Sequence, residues 1–331
     1  MHIRIFPILS ILVWLLPGMA FAACTGKDLR PTLSAEAQAA IAAETAALPY
    51  PEGNHWRATK GERTITLLGT MHLHDPRMVA IVDRLAPTLD NADLVLVEIT
   101  AEEEAAMLGA IATDPSIAFL TDGPSLIDRV PPDIWAELAA AAQRRGVPPF
   151  MAAKYQPWFL SLTLALAPCA AADVQAGKPG LDKMVINAAE DAGVPVEGLE
   201  TFREVLDVMA ADPIEEQLRF LPLMVQMERT VDDATATTIA TYFDEEHGAL
   251  LAFSRVFTRE QIDFPPDEFD ALFDEMMGML LDQRNLMWME RIDRRDEDNI
   301  LIAVGAAHLS GETGLLKQFE QRGFELERLP F

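Results

Sequence analysis

The sequence predicts an α/β protein in which a mostly parallel central sheet carries large helical insertions. Three observations predict this fold. Apolar, β-branched runs occur early, in the middle and late in the chain, at 64–68, 93–99 and 300–304, and continuous apolar runs are typical of buried parallel strands. The first and last of these runs lead into the same motif, Gly-x-x-His. The long stretches between the strands, about 101–178 and 205–295, carry helix start and stop signals.

Length suits one large domain or two small ones, and the strands that come early, in the middle and late in the chain favour a single α/β domain over residues 23–331. The chain has 331 residues, of which 50% are hydrophobic and 24% charged, as in ordinary globular proteins. Its formal net charge is −26. Because nucleic-acid binding depends on basic patches that contact phosphates, this charge argues against a nucleic-acid partner.

Residues 1–22 resemble a secretory signal peptide. Arg4 supplies the basic start, residues 5–16 form an apolar core, and Ala20-Phe21-Ala22 fits the cleavage pattern. No later apolar run reaches spanning length without a charge or a proline, so no transmembrane segment is expected in the mature chain. The sequence therefore predicts a periplasmic or secreted protein.

Two cysteines, Cys24 and Cys169, would remain after cleavage. An even count in an exported protein predicts one disulfide. The alternative is a lipid anchor at Cys24, because Phe21-Ala22-Ala23-Cys24 is close to a lipoprotein signal. Such signals usually carry Leu where this chain has Phe21, so the disulfide is favoured.

Capping and turn signals place the elements of the first half in order. Ser34 is a candidate N-cap for a helix that ends at Ala47. Lys60-Gly61-Glu62 joins two strands, 55–59 and 63–68, into a hairpin. Pro76 opens a helix that runs to about 88. Later segments predicted to be helical are 132–145, 154–167 and 181–192, and 194–199 is a short strand.

The second half carries equally local signals. Thr201 and Glu204 form a capping box, Thr-x-x-Glu, which starts a helix. Pro213 and Pro266 each open another, and the second runs past Arg284 and Asn285. After the strand 300–304, Ser310 is predicted to cap a helix that ends before Gly323, and 324–329 is an edge strand.

The candidate site residues follow the strands. His72 and His308 end the two Gly-x-x-His motifs, three residues after Gly69 and Gly305. Glu98 ends the strand 93–99, where an unpaired buried charge would be costly. Glu200 follows the short strand 194–199. Because the loops after parallel strands gather at one sheet edge, the four side chains are expected to lie together.

Simpler interpretations compete with a shared site. Each histidine could merely cap its strand, and Glu98 could be a solvated strand end. Glu200 could serve only to stabilise a helix N-terminus.

Two imidazoles and a carboxylate with open positions can hold a catalytic divalent metal. We therefore predict a metal site at His72, His308 and Glu98, with Glu200 as the second carboxylate. Either carboxylate could activate a metal-bound water, because the metal lowers the pKa of that water. A Ser-His-Asp triad is less favoured, since the chain has no G-x-S-x-G motif.

An ordered set of motifs also carries a family resemblance. The chain resembles the TraB/GumN family, which includes the Tiki proteases and pheromone-shutdown proteins. The resemblance covers about residues 50–331 and rests on these motifs: Gly69-Thr70-Met71-His72, Val97-Glu98, Gly180-Leu181-Asp182, Gly198-Leu199-Glu200-Thr201, Arg284-Asn285 and Gly305-Ala306-Ala307-His308-Leu309.

The resemblance implies a fold like that of erythromycin-esterase and ChaN-like proteins. From the Tiki branch it implies a metal-dependent protease, with manganese or cobalt as the ion and zinc as another possibility. It makes His72 and His308 metal-site residues and Glu98 a site carboxylate. It also brings four further residues into the site: Asp182, Glu200, Arg284 and Asn285. Arg284 is suited to bind a carboxylate or a developing oxyanion.

The sequence thus predicts an exported metal-dependent hydrolase, most simply a peptidase. The alternative is a non-catalytic periplasmic protein that binds a peptide, haem or another small ligand. A third interpretation is a helper in envelope or polysaccharide assembly. Metal-dependent turnover would distinguish the first from the others.

Overall fold

The computed structural model describes residues 24–331, and the predicted signal peptide lies outside them. The strands are β1 (His55–Lys60), β2 (Arg63–Thr70), β3 (Leu94–Val97), β4 (Val196–Gly198), β5 (Asn299–Gly305) and β6 (Glu325–Arg328). They form one sheet in the order β4-β3-β5-β2-β1-β6. The first four strands in that order are parallel, and β1 pairs antiparallel with both β2 and β6. The predicted α/β fold, hairpin and edge strand are confirmed.

Helices fill both predicted insertions. Those up to residue 191 are α1 (Ala35–Ala47), α2 (Met78–Leu89), α3 (Ala101–Thr113), α4 (Leu126–Arg129), α5 (Pro132–Arg144), α6 (Pro149–Ala152), α7 (Pro157–Ala165), α8 (Pro168–Gln175) and α9 (Leu181–Asp191). The later ones are α10 (Phe202–Met209), α11 (Ile214–Met227), α12 (Val231–Phe243), α13 (His247–Gln261), α14 (Pro266–Met277), α15 (Gln283–Ile292) and α16 (Leu315–Gln321). A π-helical segment, Gly278–Asp282, joins α14 to α15.

The sheet is buried on both faces, which explains its continuous apolar strands. Alternating side chains of one strand reach opposite layers, because successive residues of a strand point to opposite faces. Ile300 and Ile302 pack with Trp288 and helix α16 on one face. Leu301 and Ala303 pack with helices α2 and α9 on the other. Residues of helices α4, α5, α6, α7 and α11 form a separate hydrophobic cluster away from the sheet.

Some predicted helix boundaries differ from the structure. Ser310 is not an N-cap, because the chain stays in turns until Gly314 and α16 begins at Leu315. A side chain at Gly314 would meet the backbone of Ser310, so the turn closes too tightly for the predicted helix start. Helix α7 begins only at Pro157, because Lys154 is still occupied in a loop, where its carbonyl accepts from the Leu120 N–H at 2.6 Å.

The two cysteines lie together as the cysteine count predicts. Cys24 and Cys169 are 145 residues apart in sequence, yet their Cα atoms are 5.3 Å apart and their sulfur atoms are at bonding distance. This pair ties the start of the described chain to α8. Among residues 24–331 no single helix is both long and apolar enough to cross a membrane, and only the pair α7–α8, bent by 99°, meets the length and composition together.

Candidate functional site

Four neighbouring parallel strands deliver polar side chains to one sheet edge. In sheet order, Glu200 follows β4, Glu98 follows β3, His308 follows β5 and His72 follows β2. The structure therefore brings all four predicted residues to the edge where ligands bind in open α/β sheets. We call this group, with Arg284, Asn285 and Asp182, the sheet-edge site.

His308 is buried and held by its neighbours on α15. It lies in the 3-10 turn Ala306–His308, and its Nδ1 is 2.7 Å from Oδ1 of Asn285. Assigned from this contact, Nδ1–H donates to the amide oxygen, which leaves the lone pair on Nε2. The imidazole ring packs on Trp288, with ring centroids 4.3 Å apart. Burial lowers the pKa of His308 to about 4, so the ring is neutral at pH 7.

Glu98 is fixed at both carboxylate oxygens. Oε1 accepts from the Gly305 N–H at 2.7 Å, and Oε2 accepts from Nη2 of Arg284 at 2.7 Å. Burial acts to raise the pKa of Glu98, but the opposing charges of His308, His72 and Arg284 lower it to about 2. Glu98 is therefore an ionised, positioned carboxylate rather than a solvated strand end.

Arg284 lies between the two carboxylates. Its Nη2 donates to Glu98 and to Oε1 of Glu200, and its Nε donates to Oε2 of Glu200 at 3.0 Å. Its Nη1 donates to the Leu280 carbonyl at 3.0 Å and lies 3.4 Å from Nε2 of His308. Burial, together with the charge of Glu98, raises the pKa of Glu200 despite the opposing effect of Arg284. The single guanidinium of Arg284 thus donates hydrogen bonds to two carboxylates.

The segment before Arg284 is π-helical. The Gln283 N–H bonds to the Gly278 carbonyl, five residues back. A π turn rotates the following helix face relative to the preceding one, and such turns are frequent at functional sites. Here it sets the direction in which α15 presents Arg284 and Asn285.

His72 lies at the exposed side of the sheet-edge site. Its Nδ1 is 3.3 Å from Oδ1 of Asp182, and its side chain is 65% exposed. Pairing with Asp182 raises the pKa of His72 to about 9, against the effect of burial. At pH 7 this imidazole is therefore protonated, and its charge is partly screened by solvent.

Close backbone approaches hold the His72–Asp182 pair in place. Asp182 lies in the first turn of α9, whose Leu181 N–H donates to the Met71 carbonyl at 2.9 Å. A Cβ at Gly180 would strike the His72 backbone. The glycine of the Gly180-Leu181-Asp182 motif is therefore required for the helix to reach His72.

The glycines of the Gly-x-x-His motifs also allow neighbouring segments to pack closely, because they lack a Cβ atom. A Cβ at Gly69 would lie 2.9 Å from Cδ1 of Leu309 and 3.0 Å from the Cα of Ala306. A Cβ at Gly305 would lie 3.2 Å from Oε1 of Glu98. Both glycines therefore let the turn that carries His308 pack closely against its neighbours.

The two histidines do not share a partner in this arrangement. No hydrogen bond between them occurs in the described part of the chain, and His72 faces Asp182 whereas His308 faces Asn285 and Arg284. Over residues 24–331, no three His, Cys, Asp or Glu side chains are grouped so that they could hold a metal ion. The metal shared by His72, His308 and Glu98 stays a prediction.

Sequence reasoning missed Trp288. Its ring contacts His308 on one side, and the Arg284 guanidinium carbon lies 4.8 Å from its ring centroid. Residues 284, 285 and 288 share one helix face, because helical neighbours recur at three and four residues. The spacing of Trp288 from Arg284 and Asn285 is the sequence pattern that could have placed Trp288 in the site.

A cavity of about 520 Å³ is lined by residues of the inserted helices. Its walls include Trp158, Phe202, Arg203 and Gln217. Phe202 begins α10, two residues after Glu200, so this cavity adjoins the sheet-edge site along the chain.

The fold and the site define a class: an α/β protein whose charged side chains converge where four parallel strands end. More particularly, the chain belongs to the TraB/PrgY/gumN family, whose profile matches residues 54–328.

Curated relatives agree with this assignment. The chain is 25% identical over 274 residues to the "Uncharacterized protein YbaP" of Escherichia coli strain K12, which covers 80% of this chain and 92% of that relative. The YbaP protein of Shigella flexneri matches with the same identity and coverage.

Proposed function

We propose that the protein is a hydrolase of acyl compounds, most simply of peptides, that acts at the sheet-edge site. The observation that carries the proposal is the position of two histidines in opposite environments beside one carboxylate: His72 is open and paired with Asp182 at 3.3 Å, and His308 is buried against Asn285. The pKa of His72 is raised to about 9 and that of His308 is lowered to about 4. Paired groups whose environments separate their pKa values are typical of acid–base catalysis.

The geometry suggests a role for each group. His308 offers a lone pair at Nε2, 3.8 Å from Oε1 of Glu98, which would stabilise the imidazolium formed when His308 takes a proton from water. His72 is protonated and exposed, so it can donate a proton to the leaving group. Because His308 is buried and His72 is open, we assign the attacking water to the His308 side and the substrate to the His72 side.

The metal implied by the family resemblance does not fit the donors as they are arranged. Glu98 and Glu200 both accept hydrogen bonds from the Arg284 guanidinium, and Nη1 of Arg284 lies 3.4 Å from Nε2 of His308. A divalent ion would have to displace this guanidinium. We therefore assign no step of the proposed reaction to a metal.

Ligand binding without turnover is a second candidate function. The open cavity of about 520 Å³ supports it, because its volume lies within the 300–1,000 Å³ that is typical of small-molecule sites. Trp158 and Phe202 supply aromatic surface, and Arg203 supplies a positive charge suited to a carboxylate.

We also propose that the protein is exported. The Cys24–Cys169 pair supports this, because disulfides persist in oxidising compartments. Intact mass before and after reduction, measured on protein from the periplasmic fraction, tests it. Two free thiols, or a lipid on Cys24, would contradict the disulfide.

A peptide-library cleavage assay tests the hydrolase. Glu98→Gln, His308→Ala and His72→Ala should each reduce turnover by about 10²-fold or more, because each removes a proposed acid–base or stabilising group. Glu197→Gln is the matched control, since Glu197 lies on β4 but pairs with Arg295 outside the site. Each assay is run with chelator and with added manganese, cobalt or zinc.

The outcomes separate the candidates. Cleavage that persists in chelator supports the acid–base hydrolase, and cleavage restored only by an ion supports the predicted metal-dependent one. Binding of a peptide without any cleavage supports the non-catalytic protein. Unaltered turnover in all three site variants would remove the sheet-edge site from the reaction.

A further inference from the structure

Two buried residues hold the backbone where β2 ends. The Gly69 N–H donates to the Asn54 carbonyl at 2.7 Å, and the Gly69 carbonyl accepts from Oη of Tyr242 at 2.8 Å. Nδ2 of Asn54 in turn donates to the Tyr242 carbonyl at 2.8 Å. Asn54 is 0% exposed and Tyr242 is 3% exposed. The three residues therefore form a closed, buried set of hydrogen bonds just before the loop that carries His72.

The far end of that loop contacts the same helix. We call residues 71–77, which join β2 to α2, the His72 loop. The guanidinium carbon of Arg77 lies 3.6 Å from the ring centroid of Phe243, in a cation–π contact. Phe243 is the last residue of α12 and directly follows Tyr242. Two consecutive residues of α12 therefore contact the two ends of the His72 loop.

α12 is itself held by the first residues of the described chain. Oγ1 of Thr237 accepts from the Leu29 N–H at 2.9 Å, and Oδ1 of Asp233 accepts from the Lys27 N–H at 2.8 Å. The Cys24–Cys169 pair ties this segment to α8. The end of α12 is therefore a fixed support for the loop.

The Tyr242 hydroxyl and the His72 side chain have opposite surroundings. A buried hydroxyl is costly without a partner, and here the Gly69 carbonyl is that partner. Burial raises the pKa of Tyr242 well above its ordinary value, so the hydroxyl keeps the proton that it donates. The His72 side chain, in contrast, is 65% exposed and faces Asp182 at 3.3 Å. The position of the imidazole therefore depends strongly on the backbone of the His72 loop.

We propose that the end of α12 positions His72 for proton transfer, through Tyr242 at the start of the His72 loop and Phe243 at its end. This role rests on the proposed function, in which His72 is the proton donor. A shift of about 1 Å in a reacting group can cost ~10²-fold in rate, so the loop that carries such a group must be held. Tyr242 and Phe243 are positioning residues, because they act on the loop and not on the substrate.

Tyr242→Phe tests the proposal, because it removes one oxygen atom and keeps the aromatic ring. In the peptide assay its kcat should fall about 10-fold while KM stays within about twofold, since the hydroxyl aligns His72 and does not bind substrate. Adding Tyr242→Phe to His72→Ala should cause no further loss of kcat, whereas a general loss of stability would lower it in both backgrounds.

Tyr155→Phe is the matched control. Tyr155 is also a buried tyrosine, but it belongs to the separate hydrophobic cluster of the inserted helices. Its Oη lies 3.7 Å from Sδ of Met151. Removing this hydroxyl should leave kcat and KM at their wild-type values.

Amide hydrogen exchange, followed by NMR, measures the support without any substrate. In Tyr242→Phe, exchange should become about 10-fold faster at Gly69 and at Leu181. The Leu181 N–H donates to the carbonyl of Met71, the residue before His72, and so reports on the loop. Exchange at the Leu199 amide, whose N–H donates to the Val97 carbonyl, should be unchanged.

Two results would overturn the proposal. One is a folded Tyr242→Phe with wild-type kcat and wild-type exchange at Gly69 and Leu181. The other is an equal loss of kcat from Tyr242→Phe in the wild type and in His72→Ala. If Tyr242→Phe does not fold, Phe243→Leu, which frees Arg77 and should lower kcat about 2–5-fold, is judged by the same criteria. If the wild type cleaves no peptide, the proposed hydrolase fails, and the exchange rates alone decide whether α12 holds the loop.

Discussion

Arg145 and Arg284 are both buried arginines, but their neighbours differ. Arg145, in the inserted helices, donates to both oxygens of Glu228 at 2.9 and 2.8 Å. Its other donors reach carbonyls, including those of Ala141 and Leu164. Arg284, at the sheet edge, faces two carboxylates and a neutral histidine. Only 1% of the Arg145 side chain is exposed, against 13% for Arg284.

The difference distinguishes a structural ion pair from a candidate functional one. The Glu228 carboxylate that pairs with Arg145 also accepts from Arg144 at 2.7 Å, and carbonyls satisfy further donors of Arg145, so negative charge is not in surplus there. At Arg284 one guanidinium is shared by two carboxylates, so negative charge is in surplus. A surplus of buried charge is unfavourable for folding, and sites with such arrangements are functional candidates.

The largest expected effect is on stability when either arginine is replaced. Arg284→Met should lower the free energy of unfolding at pH 7 by ~3–5 kcal/mol, because it leaves two buried carboxylates without their cation. Arg145→Met should lower it by less, because Arg144 still pairs with Glu228. At pH 5 the loss for Arg284→Met should shrink, since Glu98 and Glu200 without their cation have raised pKa values and take up protons. Urea unfolding at both pH values measures this.

Arg145→Met should show a smaller recovery at pH 5. Glu228 keeps Arg144 as a partner at 2.7 Å and so remains ionised. An equal change with pH in the two variants would contradict a charge surplus at the sheet edge.

Replacing the carboxylates sharpens the comparison. Glu228→Gln should cost ~3–5 kcal/mol, because Arg145 loses its buried counter-charge. Glu200→Gln should cost only roughly 1–2 kcal/mol, because Glu98 still neutralises Arg284. Chemical denaturation at pH 7 gives both values. A larger loss of unfolding free energy for Glu200→Gln than for Glu228→Gln would contradict a surplus of negative charge at the sheet edge.

Burial of His308 is expected to make the free energy of unfolding depend on pH, with an effect of intermediate size. The folded pKa of about 4 lies below the ordinary 6.5, so the unfolded chain binds the proton more readily. Stability is therefore present above pH 6.5 and lost as the pH falls towards 4. His308→Gln should remove ~2–3 kcal/mol of that loss.

A second histidine and a carboxylate also contribute to the pH dependence of the unfolding free energy. His247, also with a pKa lowered to about 4 by burial, contributes in the same window and is unaffected by His308→Gln. Glu98 contributes to stability at lower pH, because its pKa is lowered from 4.5 to about 2 and this contribution is lost as the pH falls through that range. Unfolding free energies from pH 7 to 4 measure the effect, and an unchanged slope in His308→Gln would contradict it.

The smallest effect is expected at the exposed side of the site. Asp182→Asn should lower the pKa of His72 from about 9 towards 6.5, because the pairing with Asp182 is the main cause of the shift. The pairing adds stability below pH 6.5 that is lost as the pH rises to about 9, and exposure limits it to roughly 0.5 kcal/mol. NMR titration of the His72 ring measures the pKa. A value still near 9 in the variant would assign the shift to Glu98 instead.

The sequence by itself determined the sheet and the edge at which its site lies. Apolar runs that end in Gly-x-x-His place His72 and His308 after buried parallel strands, and Val-Glu-Ile places Glu98 at the end of a third. These conclusions hold because strand burial is a local pattern and parallel strand ends gather at one edge. With only two cysteines, Cys24 and Cys169 had a single possible pairing within the chain.

Only the tertiary structure decided which of these groups are partners. It paired His72 with Asp182 and His308 with Asn285, and it put Arg284 between carboxylates 84 and 186 residues away. Local sequence patterns do not encode these pairings, because they depend on the direction of α15 after its π turn and on the close approach of α9 at Gly180. The charge and protonation of each side chain follow from those contacts and from burial, which exist only once the helices have packed on the sheet.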